Sequence, residues 1–168
     1  PVGSPGAGRS RLHLHRCLGE VVAALDRRWP QGRGHLVVVV VPGNPVPGDL
    51  EALYTLDELG VVAFTFSHNL QNLLCTGSNE RFGEGGFSHM GKWTLNELEN
   101  VSMMIDLVHM SRASFWDALD LYDGDLFVSH SNADALCPHP RNLTDDQIKA
   151  VAERNGVVGL NTFRGYVS

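Results

Sequence analysis

The chain has 168 residues, of which 43% are hydrophobic and 19% charged, and its formal net charge is −6. This is the composition of an ordinary globular protein of about one domain, and the absence of a basic cluster argues against nucleic acid as a partner. The three cysteines include no Cys-x-x-Cys pair, so neither a disulfide framework nor a thiolate zinc site is indicated.

Residues 1–35 differ in composition from the rest of the chain, being rich in Gly, Pro, Arg and Ser. We expect them to form an irregular, partly disordered leader with one short helix over Leu18–Arg28. They lack the apolar core of a signal peptide. The longest apolar run, Leu36 to Val41, is too short to cross a bilayer, so no membrane segment is predicted.

From residue 36 to 168, apolar runs of strand length alternate with helical patterns. Strands are predicted at 36–41, 61–66, 103–109, 125–130 and 157–163. Helices are predicted at 49–59, 93–100, 114–121 and 144–155, with a glycine-rich loop at 68–90. Thr94 and Thr144 are the expected N-caps of the second and fourth helices.

This alternation predicts an α/β fold with a parallel sheet. A (β/α)8 barrel needs eight strands, and the chain supplies about five. The sequence therefore predicts an incomplete (β/α)8 TIM-like barrel over residues 36–168.

Three histidines come at or just after the ends of three successive predicted strands, namely His68, His109 and His130. The carboxyl ends of parallel strands share one rim, and ligands bind there in such folds. A histidine at that rim can bind a metal through one ring nitrogen while a neighbouring group holds the other. The pattern favours a site, with a strand-end histidine bonded to the backbone as the alternative for each one.

Three further residues are candidates for the same rim. Asp106 is expected to support the ligands or, alternatively, to pair with a neighbouring cation, and Asn161 lies near the end of the last predicted strand. Arg141 lies in a Pro-Arg-Asn turn before a helix, where its planar fork can bind a carboxylate such as a peptide C-terminus. The alternative for Arg141 is that it caps a nearby loop.

Four motifs carry a family resemblance: Phe64–His68 (FTFSH), Ile105–Ser111 (IDLVHMS), Val128–Asn132 (VSHSN) and His139–Asp145 (HPRNLTD), followed by GVVGLN. In this order and spacing the chain resembles the membrane (renal) dipeptidase family of zinc peptidases. The resemblance implies a metal-dependent hydrolase barrel with two zinc ions and a water that attacks the peptide bond of a dipeptide.

By the same resemblance, His109 and His130 are ligands of one zinc. His68 is implied as a catalytic residue that contacts the substrate near the scissile bond. Arg141 is implied to hold the carboxylate of the substrate. From their positions on the predicted rim, Asp106 and Asn161 are expected to support the ligands from outside. A member of bacterial type would be cytoplasmic, although the compartment is otherwise open.

The chain also departs from the family pattern. The His-x-Asp zinc pair of the first strand has no counterpart, and Pro42-Gly43 stands where the pattern has a bridging glutamate followed by glycine. A late aspartate would lie beyond Ser168. Two of the five implied zinc ligands are therefore present. We expect a fragment with an incomplete metal site that is a poor or inactive dipeptidase by itself.

Two other functions stay open at this point. One is a catalytically inactive barrel remnant that acts in binding or assembly, through an edge-strand partner or as a homo-oligomer. The other is a barrel hydrolase of the amidohydrolase type with a different substrate, which the HPRN segment disfavours.

Overall fold

The computed structural model describes residues 38–40, 51–59, 61, 63–81, 85–101 and 103–167. The strands are β1 (Val38–Val40), β2 (Ala63–Thr65), β3 (Met104–Asp106), β4 (Leu126–Ser131) and β5 (Val158–Leu160). The helices are α1 (Glu51–Glu58), α2 (His89–Asn100), α3 (Arg112–Leu121) and α4 (Asp145–Glu153), followed by a 3-10 turn at Arg164–Tyr166. The predicted leader, including Leu18–Arg28, and Pro42 lie outside the described residues.

The five strands form one parallel sheet whose order, β1 to β5, follows the chain. Phe64 of β2 pairs with Ile105 of β3, and Asp106 of β3 pairs with Phe127 of β4. An order without reversal is that of a barrel wall, whereas an open doubly wound sheet changes direction at a switch point. The parallel α/β prediction is confirmed, and every strand points its carboxyl end to the same rim.

The core lies against the inner strands of this sheet. Ala63 and Ile105 are fully buried, and so are Leu95 and Leu98 of α2. The strand β5 differs, because Leu160 at its end is 81% exposed. β2 and β3 have neighbours on both sides, while β5 pairs with β4 on one side in the described part of the chain.

The start of α2 is a correction to the sequence prediction. The helix begins at His89 and not near Thr94, because the hydroxyl of Ser88 accepts the N–H of Gly91 at 3.0 Å and caps it. Thr94 lies inside the helix and donates to the carbonyl of Met90 at 2.9 Å. Glycine is a poor helix former, so Gly91 obscures the helical pattern in the sequence. A Cβ at this position would lie 2.1 Å from the carbonyl oxygen of Leu74. The glycine therefore allows the helix to pack closely against the loop at Leu74.

The predicted N-cap of α4 is confirmed. The Thr144 hydroxyl accepts the N–H of Gln147, and the Gln147 side chain accepts the N–H of Thr144, which completes a capping box. Ser111 caps α3 in the same way, by accepting the N–H of Ser114. Each cap satisfies a backbone donor that the first turn of the helix leaves unpaired.

The glycine-rich loop after β2 packs against the body of the protein. Its residue Cys75 is 2% exposed and forms an isolated antiparallel β-bridge with Phe87 across the loop. Burial raises the pKa of the Cys75 thiol to about 12, against a smaller opposing effect of hydrogen bonds with Ser67 and Ser114. Since the thiolate is the reactive species, this cysteine is expected to be inert in the folded protein.

Thiol labelling tests this packing. In a Cys17→Ser background, a maleimide is expected to modify the half-buried Cys137 in the folded protein and Cys75 only after unfolding in denaturant. Mass spectrometry of the peptides at successive times measures both rates. Equal labelling of the two cysteines in the absence of denaturant would contradict the buried position of Cys75.

Candidate metal and substrate site

A buried carboxylate joins the ends of three adjacent strands. Asp106, the last residue of β3, is 0% exposed. Its Oδ1 accepts the backbone N–H of Val108 at 3.1 Å and that of Ser129 in β4 at 3.0 Å. Its Oδ2 accepts the hydroxyl of Thr65 in β2 at 3.4 Å. Val108 and Ser129 directly precede His109 and His130, the two candidate metal ligands. The bonds therefore fix the backbone next to both histidines. This favours a supporting role for Asp106 over pairing with a cation.

His109 leaves β3 in a left-handed backbone conformation with φ of 66°. Residues other than glycine adopt this conformation only where their surroundings hold it. The His109 carbonyl accepts the N–H of Ser78 at 2.7 Å and the hydroxyl of Ser67 at 3.1 Å. Its ring Nδ1 lies 2.9 Å from Oδ1 of Asn69. The residue is therefore held at both its backbone and one ring nitrogen.

His130 lies in β4 and meets His109 across the rim. The Nε2 atoms of the two rings are 3.2 Å apart, and Nδ1 of His130 lies 2.9 Å from the hydroxyl of Ser129. Two nitrogen ligands about 2.0–2.1 Å from one tetrahedral zinc ion stand about 3.3 Å apart. The separation of the Nε2 atoms therefore fits two ligands of a single ion.

His68 completes a row of three rings. Its ring centroid is 4.4 Å from that of His109, which in turn is 5.1 Å from that of His130. His68 is exposed, whereas His109 is buried. The structure thus brings together the three strand-end histidines, with His68 at the side open to solvent.

The charge state of the pair suits a metal site. Burial lowers the pKa of His109 to about 3, helped by the positive charge of Arg141 and by the two neighbouring histidines. Burial also lowers the pKa of His130, with Arg141 adding to the effect and Asp106 opposing it. Both imidazoles are therefore neutral near pH 7, and a neutral imidazole has the lone pair that a metal requires.

Arg141 lies next to this row in the turn before α4 and is 4% exposed. Its Nη2 donates to the carbonyl of His130 at 3.4 Å, and its guanidinium lies 5.6 Å from the ring centroid of Tyr166. Its buried Nε has no hydrogen-bond partner among the described residues. Burial lowers its pKa, yet arginine stays charged in proteins. A buried cation with an unused donor suits a carboxylate.

Asn161 forms its hydrogen bonds with Asn132 and Phe163. Its Oδ1 accepts the N–H of Phe163 at 2.8 Å, and its carbonyl accepts the side-chain amide of Asn132 at 2.9 Å. Asn132 also donates to the carbonyl of Tyr166 at 3.0 Å, so it joins β4 to the 3-10 turn. Sequence reasoning missed Asn132, although the VSHSN motif contains it, and nothing in the pattern marked Tyr166.

Within the described ranges, no group of three or more His, Cys, Asp or Glu side chains is placed to hold a metal ion. The donor set there is the pair His109 and His130. A catalytic zinc site keeps three protein ligands, so this pair fits part of such a site. The implied loss of a bridging glutamate at Pro42 concerns a residue outside those ranges.

Comparison with known proteins identifies similar chains. The family model described as membrane dipeptidase, peptidase family M19, matches residues 17–168. A dipeptidase of Schizosaccharomyces pombe, described as uncharacterized, is 29% identical over 154 residues, covering 90% of this chain and 36% of that protein. The solved metallo peptidase from Rhodobacter sphaeroides, liganded with a phosphinate mimic of the dipeptide L-Ala-D-Ala, is 32% identical with a TM-score of 0.64, covering 69% of this chain and 34% of that chain.

An amidohydrolase from Pseudomonas aeruginosa superposes with a TM-score of 0.70 over 86% of this chain and 50% of its own, at an identity of 22% that supports the fold alone. The chain spans between 24% and 42% of the length of four curated relatives that it matches. These likenesses confirm the family resemblance that the four motifs carry, and they confirm the barrel type of the fold. Membership of the family implies a metal cofactor.

In the part of the chain that the structure describes, no helix could cross a bilayer.

The role of Asp106 can be tested by stability measurements. Asp106→Ala is expected to lower the free energy of unfolding by about 2–6 kcal/mol, because each of two N–H groups left without an acceptor costs about 1–3 kcal/mol. Asp106→Asn keeps one oxygen that can accept from both and is expected to cost less. Urea unfolding measures the differences, with the exposed Asp123→Ala as the control. Equal stability of the two Asp106 variants would contradict the supporting role.

Proposed function

Since the chain belongs to the membrane dipeptidase family of metallopeptidases, we propose that it forms part of a zinc-dependent dipeptidase. In this proposal His109 and His130 bind one zinc ion of the family's two. Arg141 binds the terminal carboxylate of a dipeptide, and His68 contacts the substrate beside the scissile bond. Because two histidines are fewer ligands than a catalytic zinc keeps, we expect the chain alone to bind zinc weakly and to hydrolyse dipeptides poorly.

The distance of 3.2 Å between the two Nε2 atoms supports this proposal most directly. Two neutral imidazoles that direct lone pairs toward each other repel unless a cation or a proton lies between them. A zinc ion there would lower the pKa of a bound water to about 7 and polarise a substrate carbonyl. The competing explanation is a single proton shared by His109 and His130.

The position of Arg141 supports hydrolysis of a peptide bond next to a free carboxylate, as in a dipeptide. Its guanidinium donates to the carbonyl of His130, so the proposed carboxylate anchor is directly adjacent to a proposed zinc ligand. In a dipeptide the terminal carboxylate is one residue away from the bond being hydrolysed, which agrees with this closeness. Such an anchor would hold the scissile bond in a fixed orientation. The exposed ring of His68, beside His109, is accessible to the polar atoms of that bond.

Zinc titration tests the metal part of the proposal. Calorimetry is expected to show weak binding that is lost in His109→Ala and in His130→Ala. The matched control is His89→Ala, because His89 is an exposed histidine at the start of α2. Unchanged binding in both site variants would mean that zinc binds elsewhere in the chain and would contradict the proposal.

An activity assay on the same samples distinguishes the dipeptidase proposal from the alternative of a catalytically inactive barrel remnant. We expect slow or absent dipeptide hydrolysis by the zinc-loaded chain and turnover by a longer protein that supplies further ligands. Tight binding of two zinc ions with rapid turnover by this chain would contradict the incomplete site. Zinc binding without turnover in the longer protein would favour the remnant.

Substrate binding tests Arg141. A dipeptide with a free carboxylate is expected to bind at least about tenfold more tightly than its C-terminal amide, since hydrogen bonds to charged groups contribute about 1.5–3 kcal/mol. Arg141→Lys keeps the charge but loses the planar fork, and should reduce that preference. NMR shift titration measures both ligands, and an equal affinity for the two in the wild-type protein would refute the carboxylate anchor.

A further inference from the structure

We propose that Asn69 is a positioning residue that keeps the proton of the His109 ring on Nδ1, and so leaves Nε2 free for the metal. That Nε2 is kept free for a metal rests on the proposed function. The contact between Asn69 and His109 does not depend on it. Neither the strand pattern nor the four motifs singled out this asparagine, which directly follows His68 in the chain.

The first observation is the contact between the two side chains. Oδ1 of Asn69 lies 2.9 Å from Nδ1 of His109. An amide oxygen only accepts hydrogen bonds, so the ring nitrogen must carry the proton. A neutral imidazole has one such proton, and Nε2, which faces His130 at 3.2 Å, is left with its lone pair. An amide turned the other way would place the proton on Nε2 and block a metal there.

The second observation is that one turn holds both residues. Asn69 and His109 are both left-handed, with φ of 68° and 66°. The N–H of Ser78 donates to the carbonyl of His109 at 2.7 Å, and the N–H of Asn79 donates to the carbonyl of Asn69, also at 2.7 Å. Consecutive residues therefore hold the two carbonyls in a fixed relation.

Gly77 makes this turn possible. A Cβ at Gly77 would lie 2.4 Å from both the carbonyl carbon and the carbonyl oxygen of Asn69. Only glycine lets the turn approach the Asn69 backbone so closely. Asparagine in turn tolerates the left-handed conformation better than most residues while supplying an acceptor. The turn at 77–79 thus fixes the backbone of Asn69 and His109, and the Asn69 amide fixes the tautomer of the His109 ring.

The ring tautomer is measured by long-range 1H–15N NMR of the imidazoles at pH 7. In the wild-type protein, His109 is expected to carry its proton on Nδ1. Asn69→Gly fits φ of 68° and removes the acceptor, so the Nε2–H form should appear and zinc affinity should fall about 10–100-fold. The control is Asn155→Gly, at another left-handed asparagine with φ of 55°, which should change neither.

The conservative variant Asn69→Asp keeps an oxygen acceptor and is expected to keep the proton on Nδ1. A wild-type ring protonated on Nε2 would overturn the proposal, and so would an unchanged tautomer in Asn69→Gly. If the wild-type chain binds no zinc at all, the proposed function fails. The tautomer of His109 still decides the role of Asn69 in that case.

Discussion

The carboxylate of Asp106 holds the ends of β2, β3 and β4 through bonds to Thr65 and to the backbone N–H groups of Val108 and Ser129. Burying a carboxylate costs free energy that these hydrogen bonds and the positive charge of Arg141 offset. Because the bonded N–H groups directly precede the two histidines, neither strand end can shift without breaking a bond to a buried charge. The spacing of the two imidazoles follows from this constraint.

Contacts within the chain hold the candidate ligands at the rim. His109 is held in an unfavourable left-handed conformation by Ser67 and by the turn at 77–79. Burial and the neighbouring charge of Arg141 keep His109 neutral. An ion bound here, as proposed, would cost little conformational freedom, which would partly compensate for having few ligands.

Much of this was accessible from the sequence because the relevant signals are local. Buried apolar runs located the strands, and the shared rim of parallel strands then predicted that His68, His109 and His130 are neighbours. The capping box at Thr144 involves residues three apart. The contacts that were missed join distant residues: Asn69 meets His109 40 positions away, and Asn132 meets Asn161 29 positions away. The start of α2 was misplaced because a glycine needed for packing interrupts its pattern.

In the proposed function, one zinc ion lies between His109 and His130. Anomalous diffraction at the zinc edge from zinc-soaked crystals would locate this ion. We expect a single peak between the two rings, about 2 Å from each Nε2 atom. A peak remote from the pair, or the two histidines bound to different ions, would contradict it.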